Sequence, residues 1–436
     1  VLGFAVPNRP PLRTEVLAGI TTFVTMAYIV FVQPAVLGAA GMDPGAVLMA
    51  TCLASAIATA LMGWLANYPI AVAPAMGHNF FFAYTVVLAS GTPWQVALGA
   101  VAIAGFVFIL TAGIGLREHV IAAVPASLKH AIGVGIGLLI ALIGLQWAGI
   151  IVDTPGTMVG LGSLSSSPAL LSAGTLLLTA VLMARGVKGA FLIGMAAATL
   201  AALAMGLVRY EGIFSVPPSI APTFLQLDIP GALRFEMIDV VFVFFFLALF
   251  DSVGTLIGIA NRIGVVKDGV MPRARQALMA DAVGTVIGAG LGTSTVTAYI
   301  ESSTGVAAGG RTGRANFVTA GLFLLVPFFY PIVKMIGGGV PAGDGVTLYP
   351  IVAPALVLVG VMMMEGVSQI RWDDYASAIP AFLTIVMIPL SVSITDGIAF
   401  GLIAAAVLAL ATGRRRTLHP LAYVFAVLFV VRYALK

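Results

Sequence analysis

Three carboxylates stand inside long apolar runs of this chain: Asp251 in FFFLALFDSVGTLIG, Asp281 in LMADAVGTVIGAG and Glu301 in TAYIESSTG. Placing such a group in a bilayer costs roughly 2.5 to 3.5 kcal/mol, so it is kept for a cavity or a partner. Glu301 precedes Ser302, Ser303, Thr304 and Gly305, which can start a half-helix whose N–H groups favour an acceptor at that point. A carboxylate there can accept two N–H bonds from a flat heterocycle such as a purine, and can take a proton. Each acid also has a plain structural alternative. Glu301 can be satisfied by neighbouring hydroxyls or backbone, Asp251 can tie its span to the hydroxyl-rich TSTVT run, and Asp281 can brace its own span through Thr285 or a backbone donor. His78, in IAVAPAMGHNFFFAY, suits either a proton route or a packed, hydrogen-bonded histidine. Of the cluster Phe80, Phe81, Phe82 and Tyr84, Phe80 is the ring expected to lie over a planar ligand. Asp239 and Glu365 fall at span ends and read as solvated.

Other chemistries find no support. Cys52 is the single cysteine, the histidines (His78, His119, His130, His419) are scattered, and neither HExxH nor GxSxG occurs, which argues against an intramembrane enzyme. Gly309, Gly310 and Gly313 with Arg311 and Arg314 resemble a phosphate loop, but no GK[ST] follows and a glycine-rich turn is expected.

The elements that must position these groups follow from composition. The chain of 436 residues is 60% hydrophobic and 9% charged, against about 25% charged in soluble domains, so it is an integral membrane protein. The net charge of +4 is spread over short loops, which excludes a nucleic-acid patch. Apolar segments of bilayer length predict fourteen helical spans between residues 15 and 412, the third at 69–90, the eighth at 238–260, the ninth at 274–293 and the tenth at 294–312. A further apolar segment at about 420–435, after Arg414, Arg415 and Arg416, is interfacial, re-entrant or a fifteenth crossing. With the N-terminus cytoplasmic, most Lys and Arg, among them Arg9, Arg13, Arg117, Lys129, Arg185, Lys267, Arg311 and Arg371, fall inside. The proline-rich connection 208–237 reads as a linker between halves. The third and tenth spans begin abnormally, with Pro74 and Gly77 in one and the run Thr293–Thr297 in the other, and they occupy equivalent places half a chain apart. Seven spans per half invert the second half, and paired broken spans mark a transporter's midplane site.

The chain resembles the nucleobase/ascorbate transporter superfamily, and within it the AzgA-like permeases that carry hypoxanthine, guanine and adenine. The resemblance runs through AGITTFVTMAYIVFVQPAVL, ATCLASAIATALMGWLANYPIAVAPAMG, LFDSVGTLIGIANRIG, LMADAVGTVIGAGLGTSTVTAYIESSTGVAAGGRTG and IPAFLTIVMIPLSVSITDGIAFG. It implies an all-α fold of two inverted seven-span repeats, with short strands in the third and tenth spans. A core domain (1–116 and 238–340) moves against a gate domain (117–210 and 341–436), with 211–237 as linker. It implies proton symport of a purine by alternating access in the plasma membrane, with sodium coupling as the narrower alternative, no cofactor, and a homodimer through the gate. By position, Asp251 and Glu301 contact the base together with backbone of Phe80 and Ile300 and with Asn79. Thr255 stands where relatives place a coupling histidine, and Asp281 matches an acid needed for transport, so Asp251, Asp281, Glu301, His78 and Thr255 are the proton-coupling candidates. Two departures bear on the choice of base: Ala248 replaces a second Asp, and PAMGHNFFF replaces PGMGLNAFF. The rival readings are a sulfate- or bicarbonate-like anion carrier or channel on the same architecture, which acids at the site disfavour, and a binding-only receptor.

Overall fold

The computed structural model describes residues 10–114, 124–157, 159–266, 271–343, 346–415 and 418–435. Arg9, Arg117, Lys267, Arg416 and His119 lie outside them. Among the described residues, eight helical stretches are long and apolar enough to cross a membrane, and five shorter apolar helices accompany them.

Helices α1 (Leu12–Met26) and α2 (Ile29–Ala39) form one interrupted stretch, followed by α3 (Pro44–Leu65), strand β1 (Val72–Pro74), α4 (Met76–Phe80) and α5 (Trp94–Ile114). Next come α6 (Ala126–Trp147), the small strands β2 (Ile151–Val152) and β3 (Gly160–Leu161), α7 (Ser167–Ala184) and α8 (Ala190–Ala204). The second half holds α9 (Ile238–Ile263), α10 (Ala274–Leu291), strand β4 (Val296–Ala298), α11 (Ser302–Ala307), α12 (Arg314–Leu325) and α13 (Tyr330–Gly337). Strands β5 (Val340–Pro341) and β6 (Thr347–Leu348) lead to α14 (Ala353–Met363), α15 (Tyr375–Ser391), α16 (Ile394–Ala411) and α17 (Pro420–Leu435).

Two groups of helices pack among themselves. In one, α10 lies against α3 and α5, and α12 against α3 and α1; in the other, α6 lies against α14 and α15, and α15 against α16. Small residues let the backbones close: a side chain at Gly313 would strike the Gly63 backbone in the first group, and one at Gly360 the Gly137 carbonyl in the second.

The third and tenth segments are broken where the sequence predicts. Pro74 has no N–H to give a helix, and β1 forms there; a π-helical stretch, Phe81–Ala89, extends α4. On the other side α10 stops at Gly292, whose φ of +100° few other residues adopt, and the β-branched run Thr295–Val296–Thr297 stays extended. The strands pair antiparallel, Val72 with Ala298, Ala73 with Thr297 and Pro74 with Val296. The tenth segment is thus helical only over the six residues of α11. The linker is no free loop: Thr223 Oγ1 donates to the Leu291 carbonyl at 3.1 Å, Leu225 N–H to Gly290 at 2.8 Å and Asp228 N–H to Gln95 at 2.9 Å.

The apolar segment after the arginine triplet forms α17, which packs along α16. Its far end carries Arg432 to Asp396 at the first turn of α16 (3.4 Å) and to Asp239 at the first turn of α9 (2.9 Å). An antiparallel helix whose last turn meets its neighbour's first turn runs along most of that neighbour: the 16 residues of α17 span roughly 24 Å and the 18 of α16 roughly 27 Å.

Candidate functional site

Asp251 sits midway along α9, where the character of that helix changes. Val243 to Leu249 are all buried, whereas Asp251 and Gly254 are exposed and Thr255 is half-buried. The strand pair ends beside this opening, with Ile300 42% exposed and Glu301 half-buried. Ile300 Cδ1 approaches the face of α9 at Gly258. Thr297 Oγ1 donates to Asp251 Oδ2 at 2.9 Å, so the carboxylate ties α9 to the hydroxyl-rich segment and still faces the opening. The tie from Asp251 to the TSTVT run is thus formed. Glu301 stands immediately before α11 and accepts at Oε1 from the Tyr28 hydroxyl at 2.8 Å. The Lys129 ammonium of α6 lies 5.1 Å from the ring centroid of Phe250, the neighbour of Asp251 on α9.

The remaining candidates stand back from the opening. Asp281 is fully buried and its Oδ2 accepts the Ala298 N–H at 3.3 Å, which is the backbone-donor arrangement. Thr285 serves the strand instead, through Val296. Phe80 has no exposed surface and stacks on Tyr84, with centroids 5.6 Å apart. Asn79 is fully buried and accepts from the Ser294 hydroxyl, which Gln33 also bonds at 3.3 Å. His78 is 3% exposed, and Ala248, the departure one turn ahead of Asp251, is buried. Among the described residues no group of three His, Cys, Asp or Glu could hold a metal ion.

Tyr28 is the site residue that sequence reasoning missed. It lies in the two-residue break between α1 and α2, and a phenol inside an apolar run needs a hydrogen-bond partner, which was the available signal.

The end of the bundle where α9 and α16 begin is closed. Trp147 Nε1 donates to Tyr84 Oη at 2.8 Å, the Trp147 and Tyr349 rings lie 4.3 Å apart, and Thr85 Oγ1 donates to the Val392 carbonyl at 2.8 Å. Phe81 packs edge-on to Phe244 of α9 at 4.7 Å behind them.

Sequence comparison places this architecture. A protein of Methanocaldococcus jannaschii named as a permease is 51% identical over 424 residues, covering 97% of this chain and 95% of its own. The adenine permease AdeP of Escherichia coli is 44% identical, covering 96% and 92%, and the guanine/hypoxanthine permease PbuG of Bacillus subtilis is 43% identical, covering 97% and 96%. Among solved structures, the transmembrane domain of the cyanobacterial bicarbonate transporter BicA superposes with a TM-score of 0.65 at 16% identity, over 90% of this chain and 98% of that one, a likeness of fold alone. Since the Permease family model matches residues 13–400, the chain is a multi-pass membrane transporter rather than an enzyme, and it belongs to the Permease family.

Proposed function

We propose that this permease moves purine nucleobases across the membrane by proton symport, opening its site alternately to the two sides. The observation that carries the reading is the meeting of Asp251 and Glu301 at one opening, each held by a single hydroxyl and neither in an ion pair among the described residues. Glu301 is the acceptor for ring N–H groups of the base. Asp251 takes the proton, alone or shared with Asp281 or His78, and the neutralised cavity then crosses the apolar region at lower desolvation cost. Two acids at the site disfavour an anionic substrate, and the relatives named for adenine, guanine and hypoxanthine support the purine class.

The same reading takes the fourteen apolar segments as crossings in two inverted sets of seven, with α17 as a fifteenth. The packing group containing α3, α5, α10 and α12 belongs to the core domain, and the group of α6, α14, α15 and α16 to the gate. A cytoplasmic N-terminus in the plasma membrane turns the opening toward the cytoplasm, and a homodimer would form through the gate domain.

The test is uptake of labelled hypoxanthine, guanine, adenine, xanthine and uracil by cells making the chain, with and without a pH gradient in sodium-free buffer. Glu301→Gln is expected to abolish or strongly reduce purine uptake at equal membrane insertion. Uptake that ignores this change would sink the reading.

A further inference from the structure

A two-stranded sheet has two outer edges, and in a bilayer no water is available to satisfy them. Strands β1 and β4 serve one another through alternate residues: Tyr299 N–H donates to the Ala71 carbonyl at 2.9 Å and Ala75 N–H to the Thr295 carbonyl at 3.0 Å. Alternation turns the backbone groups of Val72 and Pro74 outward on one side, and those of Val296 and Ala298 outward on the other.

Side chains from two helices meet these edges. Thr59 of α3 closes both bonds of Val72, its Oγ1 accepting the N–H at 2.9 Å and donating to the carbonyl at 3.0 Å. Thr285 of α10 does the same for Val296, donating to the carbonyl at 2.9 Å and accepting the N–H at 3.3 Å. Both threonines are buried, at 0% and 1% exposure. The sequence offset from Thr59 to Thr285 equals that from Val72 to Val296 to within two residues, so the two clamps are counterparts in the two halves. The other outward positions differ between the strands. Pro74 has no N–H, and its carbonyl accepts from the Tyr299 hydroxyl, whereas Ala298 gives its N–H to Asp281. A hydroxyl suits the clamp because one group supplies both a donor and acceptor lone pairs.

We propose that Thr59 and Thr285 are positioning residues for the base-binding site. They touch neither the opening nor the substrate. Thr285 fixes β4 one residue from Thr297, which holds Asp251, and five from Glu301; Thr59 fixes β1, which leads into α4 and Phe80. Strands pinned at both edges keep their register while the loaded site moves, and a strand released at one edge lets the two carboxylates drift apart. The inference deepens the nucleobase reading and rests on it.

The experiment uses the full chain carrying Thr59→Val or Thr285→Val, which remove the hydroxyl and keep the branched shape, with Thr→Ser and Thr→Cys at the same positions. Two measurements are made: KM and maximal rate of purine uptake per inserted protein, and amide exchange of purified protein over 70–75 and 294–299. Each Val variant is expected to raise KM at least about ten-fold and to speed exchange at its own strand. Ser should restore both, and Cys, a weak donor, should fall between. If a Val variant does not insert, Cys and Ser decide by the same criteria. Wild-type KM and exchange in Val or Cys would overturn the proposal, as would lowered Tm with unchanged KM, or failure of Ser to restore function. If the wild-type chain takes up none of the bases, the nucleobase reading fails and exchange alone judges the clamp: faster exchange in both Val variants supports it and unchanged exchange overturns it.

Discussion

Glu301 gains its orientation from one phenol, and that dependence can be measured. A hydroxyl bond to a carboxylate contributes about 1.5 to 3 kcal/mol, which is roughly ten- to a hundred-fold in affinity. Tyr28→Phe, which removes only the donor at 2.8 Å, should therefore raise KM for purine uptake by about ten-fold or more at unchanged insertion; an unaltered KM would remove Tyr28 from the site. Another acid, this one buried, does a different task. Glu15 is 1% exposed, and its Oε1 accepts the Thr312 N–H at 3.1 Å, the Thr312 hydroxyl at 2.9 Å and the Arg311 N–H at 3.3 Å, pinning the glycine-rich turn that sequence had set apart from a phosphate loop. Glu15→Ala strands these donors and should cost about 2 to 4 kcal/mol, read as a lowered Tm of purified protein with base affinity retained. Asp251, Asp281 and Glu301 were legible in the sequence because charge inside apolar runs is rare, whereas Glu15, at the edge of its run, was not. Tyr28, Thr59 and Thr285 were not, because hydroxyls are common in membrane helices and only three-dimensional contact separates those that hold a strand from those that bond their own helix, as Thr179 and Thr199 do.

At the scale of elements, proline and β-branched residues disclosed where helices fail, and the structure places β1 and β4 there. What they could not disclose was register, since pairing of Ala73 with Thr297 depends on the edge contacts from α3 and α10. Nor could they show that Phe80 and Asn79 turn inward: in a run of four aromatics every helical face is apolar, and periodicity gives no direction. The turn between α10 and β4 is the most exacting of these breaks. Gly292 has φ of +100°, and a side chain there would collide with Thr223 of the linker, which itself bonds the last turn of α10. Gly292→Ala should cost about 1 to 3 kcal/mol in stability. Because the strand starts at this turn, amide exchange should rise over 293–298 before it rises in α10; uniform change along both would show that the glycine governs only global stability.

Across the whole molecule, transport of the proposed kind needs contacts between core and gate that exist in one state and break in the other. Composition revealed the class and the apolar segments but not these contacts, since Arg432, which makes one of them, falls in the 420–435 segment whose depth the sequence leaves open. In the structure Arg432 joins Asp239 of α9, in the proposed core, to Asp396 of α16, in the proposed gate, and Tyr433 adds a bond to Asp396 at 2.7 Å. These links lie at the closed end, with the Trp147–Tyr84 and Thr85–Val392 bonds. The partners are 20% to 28% exposed, so each ion pair contributes only about 0.2 to 1 kcal/mol. That is too little to hold the fold, yet enough to shift an equilibrium between two states about 1.4- to five-fold. Arg432→Met, which keeps the packing of α17 and removes the charge, should move the population away from the present closed-end state by that factor. The measure is the distance distribution between spin labels on α9 and α16. Asp239→Asn should shift it in the same direction, because it breaks the same link from the other side. If both variants leave the distribution unchanged, α17 is a passive neighbour of α16, and the closed end is held by Trp147, Tyr84 and Thr85 alone.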